Sequence, residues 1–387
     1  MLNLQKQNIV LLVILSIISF FTFLGIANLP VPNDLNLHNQ IIKSLNDGTG
    51  AYGPHFLYFG IVQIISFFSF NIAIINVWAS VLLGSAVTFK FIWTKNIVLS
   101  GFTPTFKFFK ENFWLIPLVL AAFMFLTNMP SRPPFTHELP PISWQNSTTI
   151  FLFPFALALF YKSYCFLQNQ TTNLLWQIAI IGFISILIKP NFMLVFGLVF
   201  PLFALMKFGF SKTFFKIIGV HIIFGLVIIA QFIYTLYLSK SGAVANYEDV
   251  QIVIAPFKAW SKITRSIPIS FVLWSSFPVL FLFFYYKKIR DKGMIQYASA
   301  FFLVGFLIFI LLNEQTKTGA NVGAVNFLWQ AIIVQFILFV VCFKEHLIIL
   351  NNREYFKKKD YVLFGIQFYY VFAGFMYLIN TVLLPYL

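Results

Sequence analysis

Long apolar runs alternate with short polar stretches along the whole chain. About 17–25 consecutive apolar residues are enough to cross a bilayer as a helix, and a helix satisfies its own backbone hydrogen bonds in hydrocarbon. The pattern therefore predicts an all-α, polytopic transmembrane helix bundle that forms a single integral membrane domain over residues 1–387. The predicted apolar segments are residues 9–29, 55–70, 72–93, 114–128, 149–167, 174–188, 191–206, 216–238, 268–286, 294–312, 326–343 and 361–386.

Composition excludes a soluble protein. Apolar residues make up 60% of the 387 positions and charged residues only 10%, whereas a soluble domain has about 45–50% and about 25%. The formal net charge of +15 is spread over the polar stretches and forms no stripe, which excludes a nucleic-acid-binding protein. Cys165 and Cys342 lie far apart in or beside apolar runs, so we expect two unpaired, inert thiols.

The basic residues predict the direction of the spans. Lys and Arg concentrate in cytoplasmic loops of membrane proteins. The basic clusters within residues 90–110, 207–216, 287–292 and 344–359 are therefore expected inside the cell. The outer loops are then residues 30–54, 129–148, 239–267 and 313–325.

One apolar segment breaks this alternation. With the amino terminus inside, two full spans between residue 54 and Lys90 would place Lys90 on the wrong side. We therefore predict that residues 55–70, which begin after Gly53-Pro54, dip into the membrane or lie against its outer leaflet without crossing it. Eleven spans result, with the carboxyl terminus outside. The alternative is an outside amino terminus, which would move Asp34 to the cytoplasm.

The first outer loop carries the candidate catalytic residues Asp34 and His38, with His55 further on as a candidate substrate-binding residue. Asp34 and His38 are four residues apart and would share one face of a helix, where they could hold a divalent ion such as Mg²⁺ or Mn²⁺ or hydrogen-bond each other. The alternative is that Asp34 caps a juxtamembrane helix and that His38 is an interfacial polar group.

The second outer loop contains five prolines within residues 130–148, which favour a stiff, extended chain. An ordered loop with charged and aromatic side chains beside a membrane is typical of a substrate-binding wall. Its candidate residues are Arg132, His137, Glu138, Trp144 and Asn146. The alternative is a rigid connector with an interfacial tryptophan.

Lys189 stands between two short apolar runs, followed by Pro190 and Asn191. The predicted topology places Lys189 toward the outer face, where positive charge is disfavoured. A lysine between two half-length helices is suited to binding an anionic head group. The alternative is a lysine at a helix end whose amine reaches the membrane surface.

The remaining two outer loops add four candidate substrate-binding residues, which are Lys258, Arg265, Glu314 and Lys317. The basic residues among them could equally contact anionic lipids. The chain contains no phosphate-binding glycine loop, dinucleotide fingerprint, HExxH or CxxC motif, so cofactor chemistry of the soluble type has no support.

The first 95 residues resemble the GT-C superfamily of glycosyltransferases that use lipid-linked sugars. The resemblance rests on the first helix, an acidic residue in the first outer loop, and the entry Gly53-Pro54-His55 to a short apolar segment. In that superfamily the first outer loop carries an essential aspartate, which would be Asp34. The chain departs from the adjacent acidic pair of some members and from the large soluble carboxy-terminal domain of others.

A fainter resemblance connects three segments to bacterial membrane proteins associated with surface polysaccharides. The segments are Trp144–Thr148, Lys189–Asn191 and Pro256–Trp260. Those proteins are expected to carry Trp-His-Asn-Pro-Thr at the first segment, where this chain has Gln145 and Ser147 in place of the histidine and proline.

These resemblances imply an inverting glycosyltransferase of the bacterial cytoplasmic membrane. It would transfer a sugar from a polyprenyl-phosphate or polyprenyl-diphosphate donor to a glycan or lipid acceptor during surface glycan assembly, and its partners would be these lipids and the bilayer. Two alternatives remain open from the sequence. One is a polymerase that joins whole lipid-linked repeats, and the other is a non-enzymatic transporter or flippase.

Overall fold

The computed structural model describes residues 2–29, 33–50, 52–53, 56–126, 146–234, 250–264, 266–316 and 326–379. For residues 2–8, 250 and 316 it describes the backbone alone. Fifteen α-helices are described in these ranges. They are α1 Leu2–Ala27, α2 Asp34–Asn46, α3 Leu57–Ile65, α4 Ile72–Leu99, α5 Lys107–Glu111, α6 Leu115–Ala122, α7 Ser147–Asn169, α8 Thr172–Ile188, α9 Asn191–Phe208, α10 Lys212–Ile233, α11 Lys258–Ser261, α12 Ile267–Ile289, α13 Gly293–Leu311, α14 Asn326–Asn351 and α15 Lys358–Leu378.

Nine helices of the described ranges are long and apolar enough to cross a membrane, namely α1, α4, α7, α9, α10, α12, α13, α14 and α15. The chain is therefore an integral, multi-pass membrane protein. The prediction of eleven spans also counted α8 and the segment of α6, which continues as a 3₁₀ turn at Phe123–Phe125. Both belong to the shorter apolar helices.

The length of helix α3 bears on the break in the charge alternation. It has nine residues, which rise about 14 Å at 1.5 Å per residue, and the hydrocarbon core is about 30 Å thick. The helix is too short to cross alone. The expectation that residues 55–70 form no full span agrees with this length.

Helix α14 is the centre of the bundle. It contacts α4, α7, α9, α12 and α13, and 94% of its most apolar window is buried inside the protein. A helix that is apolar on every side is typical of such a position. Helix α10 is the opposite case, because Ile222, Ile223, Leu226 and Ile229 on it are all more than half exposed, as expected of a helix that faces lipid.

Two predicted loops form a small antiparallel sheet, which the all-α prediction did not foresee. Strand β1, Val250–Ile254, pairs with β2, Leu312–Thr316, and Ile252 lies opposite Glu314. The strands belong to the predicted outer loops at residues 239–267 and 313–325. Pairing these loops fixes the stretch that carries Glu314 beside the start of α14.

Hydrogen bonds identify which segments meet at each end of the bundle. At one end, called the Asp34 end, the Asn76 side chain of α4 donates to Asn28 after α1 at 3.0 Å, and Asn39 of α2 donates to Asn76 at 2.7 Å. At the other end, called the Asp360 end, Thr105 donates through its backbone N–H to Asn351 Oδ1 at 2.8 Å. These bonds bring α2 and the start of α4 to the end of α1, and they bring residue 105 to the end of α14.

A buried carboxylate organises the Asp360 end. Asp360 accepts hydrogen bonds from the Lys357 backbone N–H at 2.7 Å, from Arg353 at 3.0 Å and from His346 Nε2 at 3.2 Å, and the Tyr285 hydroxyl donates to it as well. These groups belong to α12, α14, the α14–α15 turn and the start of α15. One carboxylate therefore ties three membrane helices together. Away from this network, Cys165 and Cys342 are both free thiols, as the sequence predicts.

We expect Asp360→Ala to destabilise the bundle strongly. Removing one partner from a buried ion pair costs about 3–5 kcal/mol, because the remaining charge is left uncompensated. Thermal unfolding in detergent should show a melting temperature lowered by several degrees. The matched control is Glu354→Ala, which removes an exposed carboxylate from the same turn and should leave the melting temperature unchanged. Equal melting temperatures for the two variants would contradict this role for Asp360.

Candidate functional site at the Asp34 end

The start of α2 determines where Asp34 points. Asn33 is the capping residue, since its side-chain oxygen accepts from the Asn36 N–H at 3.0 Å. Asp34 is therefore the first residue of the helix. This corrects the alternative in which Asp34 itself was the cap, and it leaves the carboxylate of Asp34 available for other partners. A negative charge in the first turn is also favoured by the helix dipole.

The start of α7 is a buried polar cluster. Asn146 caps the helix, and its Oδ1 accepts from the Thr149 N–H at 3.0 Å. The next three residues, Ser147, Thr148 and Thr149, are at most 1% exposed. Buried hydroxyls must find hydrogen-bond partners, and these partners come from two other parts of the chain.

Lys189 supplies one set of partners. It follows α8, and Pro190 separates it from α9. The Lys189 amine is within hydrogen-bonding distance of Asn146 Oδ1 at 2.9 Å, Thr149 Oγ1 at 3.1 Å and Thr148 Oγ1 at 3.2 Å. It also lies 5.0 Å from the centre of the Trp329 ring on α14. Lys189 is 5% exposed, so its amine is enclosed by protein at this junction.

Asn146 joins Lys189 to Asp34. Its Nδ2 donates to Asp34 Oδ2 at 2.8 Å, while its Oδ1 accepts from Lys189. We call this arrangement the Asp34–Asn146–Lys189 row. It brings together three candidates that the sequence placed in three separate segments. A carboxylate and an amine are thereby held on either side of one amide.

Burial changes the protonation of Lys189 in this row. Removal of the Lys189 amine from water disfavours its charged form and lowers its pKa to about 7, although Asp34 and Glu314 favour the charged form and partly oppose the shift. Lys189 therefore changes charge near neutral pH. A lysine in this state responds to a new anion nearby by taking up a proton.

His38 lies one turn after Asp34 on α2 and is hydrogen-bonded through Nδ1 to the Ser147 hydroxyl. Its ring also contacts Phe59, with ring centres 5.3 Å apart. Burial and the positive charge of Lys189 lower the pKa of His38 to about 3, so its imidazole is neutral at physiological pH. His38 thus holds the start of α7 against α2.

The described ranges contain no group of three His, Cys, Asp or Glu side chains placed to bind a metal ion. The Mg²⁺ or Mn²⁺ considered for Asp34 and His38 remains a prediction from their spacing. In the structure the two side chains have different partners, which are Asn146 and Ser147.

Glu314 also interacts electrostatically with Lys189 and favours its charged form, as Asp34 does. It accepts from Asn326 Nδ2 with both oxygens, at 3.0 and 3.1 Å. Asn326 in turn accepts from Asn191 at 2.7 Å through its backbone oxygen. Glu314 thereby connects β2 with the starts of α9 and α14. Lys258 has a different neighbour, because its amine donates to Gln315 Oε1 at 3.2 Å.

Seven of the predicted site residues lie outside the described residues. They are His55, Arg132, His137, Glu138, Trp144, Arg265 and Lys317. Conversely, sequence reasoning overlooked Ser147, Thr149 and Trp329. The available signal was the run of three hydroxyl residues after Asn146, which is followed by a long apolar stretch of the same helix.

An apolar cleft of about 630 Å³ opens at the same end, between α3 and α10. It is lined by Tyr52, Gly53, Phe56, Gly60, Val227, Ala230, Gln231 and Tyr234. Gln231 donates to the Ile186 carbonyl at 3.2 Å, three residues before Lys189. The cleft therefore adjoins the helix that positions the lysine of the row.

The sequence matches no protein-family model, and no curated protein is significantly similar to it. Assignment of a function therefore depends on the residues of the site. Chemically, the Asp34 end combines a carboxylate that can accept a proton, an amine that can offset negative charge, and an apolar cleft on a membrane protein.

We expect the contribution of Lys189 to stability to depend on pH. Its pKa is lower in the folded protein than the 10.5 of a free lysine. As pH falls from about 10 to about 7, the unfolded chain gains a proton that the folded protein does not, so folding loses stability in this window. As the pH falls over that interval, the melting temperature of the wild type should therefore fall relative to that of Lys189→Met. Below about pH 7 the difference between the two melting temperatures should become constant.

Lys43→Met, which removes a partly exposed lysine of α2 at the same end, is the matched control. Its melting temperature should run parallel to that of the wild type across the same pH range. A difference between wild type and Lys189→Met that does not vary with pH would contradict the lowered pKa.

Proposed function

We propose that the protein is a glycosyltransferase of the GT-C type that works with inversion at the outer side of the bacterial cytoplasmic membrane. It would transfer a sugar from a polyprenyl-phosphate or polyprenyl-diphosphate donor to a glycan or lipid acceptor in surface glycan assembly. The observation that carries the proposal is the Asp34–Asn146–Lys189 row at one end of a membrane helix bundle.

Asp34 is suited to act as the general base. Its Oδ2 accepts from Asn146 at 2.8 Å, and a carboxylate oriented by a neighbouring amide can take the proton of an acceptor hydroxyl while that oxygen attacks the sugar. General-base catalysis contributes about 10²–10⁴ in rate. His38 supports this role indirectly, because it fixes Ser147 beside Asn146 through its hydrogen bond.

Lys189 is suited to offset the charge of the departing phosphate. Electrostatic stabilisation of a charge that develops in a dry site is commonly a large part of catalysis. The pKa of about 7 lets the amine be protonated when a phosphate approaches. Its hydrogen bonds to Asn146, Thr148 and Thr149 hold the amine in place. It would therefore act on the phosphate mainly by electrostatic attraction over a distance and not by direct contact.

The membrane setting supports a lipid-linked donor. The tail of such a donor stays in the bilayer, so the reacting group must be met where helices end at the membrane surface. The apolar cleft between α3 and α10 would accept part of that tail. Gln231 connects the cleft to α8, the helix that ends at Lys189.

Replacing Asp34 with Asn should lower the transfer rate by about 10²–10⁴ while the fold is retained, because the amide keeps the shape of the side chain but is a far weaker base. The assay uses purified protein in lipid nanodiscs with radiolabelled polyprenyl-phosphate sugars and a panel of glycan acceptors. Product length separates transfer of one sugar from transfer of whole repeats.

The control for this assay is Asp47→Asn, which changes an exposed carboxylate just after the last residue of α2. It should transfer sugar at the wild-type rate. Wild-type transfer by Asp34→Asn would remove Asp34 from the reaction, and the proposed mechanism would fail.

A further inference from the structure

We propose that Asn146 is a positioning residue that fixes the direction of the hydrogen bond to Asp34 and thereby leaves one defined carboxylate oxygen for the acceptor. The inference rests on the proposed function for its catalytic consequence. The direction of the hydrogen bond itself follows from the contacts alone.

The amide of Asn146 has only one favourable orientation. The Thr149 N–H at 3.0 Å and the Lys189 amine at 2.9 Å are both donors, and they meet the same atom of Asn146. The hydroxyls of Thr148 and Thr149 also donate to it, at 2.9 and 2.7 Å. That atom must be the oxygen, because the Thr149 backbone N–H can only donate and an NH₂ group there would leave it without an acceptor.

The opposite atom of the amide must then be the nitrogen, and it faces Asp34 Oδ2 at 2.8 Å. A nitrogen donor requires an acceptor, so this oxygen of Asp34 is committed to Asn146. The other oxygen, Oδ1, is the atom that would take the acceptor proton. Lys189 favours the same orientation of the amide, because its amine binds the amide oxygen and so leaves the amide nitrogen facing Asp34.

This geometry changes the role that the sequence suggests for Asn146. The residue is 5% exposed, and both ends of its amide are engaged by protein groups. It is therefore placed to orient Asp34 and to cap α7, whereas the sequence suggested direct contact with the substrate.

The test replaces the amide by a carboxylate of the same shape. In Asn146→Asp an oxygen takes the place of the N–H that faces Asp34, while the cap of α7 is retained because Asp caps helices as well as Asn does. The two facing carboxylates share a proton at low pH and repel each other when both are ionised, while the Lys189 amine, which contacts the other end of this side chain, offsets part of the repulsion. Among the described residues, Lys189 contacts Asn146 directly, and His38 and Glu314 interact electrostatically with that lysine.

Asn71→Asp is the matched control. Asn71 caps α4 by accepting from the Ala73 N–H at 2.9 Å and is exposed, so its change to Asp makes the same substitution at a helix cap without a facing carboxylate. Between about pH 5 and pH 8, Asn146→Asp should lose about 3 °C or more of melting temperature relative to wild type. Asn71→Asp should lose none.

The double variant Asp34→Asn with Asn146→Asp exchanges donor and acceptor. It should regain the melting temperature at pH 8, because an amide again faces a carboxylate. It should not regain transfer, because the carboxylate has moved to position 146. In Asn146→Asp alone, transfer should fall at least about tenfold, and the acidic limb of its pH profile should move to higher pH.

The inference would be overturned, whatever the activity, if Asn146→Asp melted at the same temperature as both Asn71→Asp and the double variant at every pH. The pH-dependent loss, with recovery in the double variant, would support it. If that loss appears while the wild type transfers no sugar from any donor tested, the hydrogen-bond direction is supported and the proposed function is the part that fails.

Discussion

One amide at the start of α7 holds the Asp34 end of the bundle together. Asn146 accepts from the first turn of its own helix and from Lys189, and it donates to Asp34. These contacts connect α2, α7 and the junction of α8 with α9. Buried polar groups inside a membrane protein are costly unless they are paired. The pairing of these three side chains therefore fixes how the segments meet.

The two ends of the bundle use buried charge differently. At the Asp360 end, a carboxylate is surrounded by Arg353, His346 and Tyr285, an arrangement that satisfies the charge within the protein and joins helices. At the Asp34 end, the amide of Asn146 stands between the carboxylate and the Lys189 amine. Asp34 is thus held by a neutral amide and not by a cation, which makes the Asp34 end the better candidate for chemistry.

Much of the framework could be predicted from the sequence because hydropathy and charge act locally. The apolar runs predicted the helices, the charge alternation indicated that residues 55–70 were exceptional, and the short runs around Lys189 placed it at a helix junction. The contacts of the site were harder to predict. Ser147 and Thr149 resemble ordinary helix residues in sequence, and their partners lie more than 30 residues away. The pairing of β1 with β2 likewise depends on contacts between segments that are far apart in the sequence, and the hydropathy pattern of either segment alone does not reveal it.

The central claim is that Asp34 and Lys189 are energetically coupled through Asn146. The most direct measurement is a double-mutant cycle on the free energy of unfolding with Asp34→Asn, Lys189→Met and the pair, at a pH near 7. Residues in one hydrogen-bonded network show coupling energies of about 0.5–3 kcal/mol, and a value in this range is the predicted result. Additive effects, with a coupling energy near zero, would contradict the account.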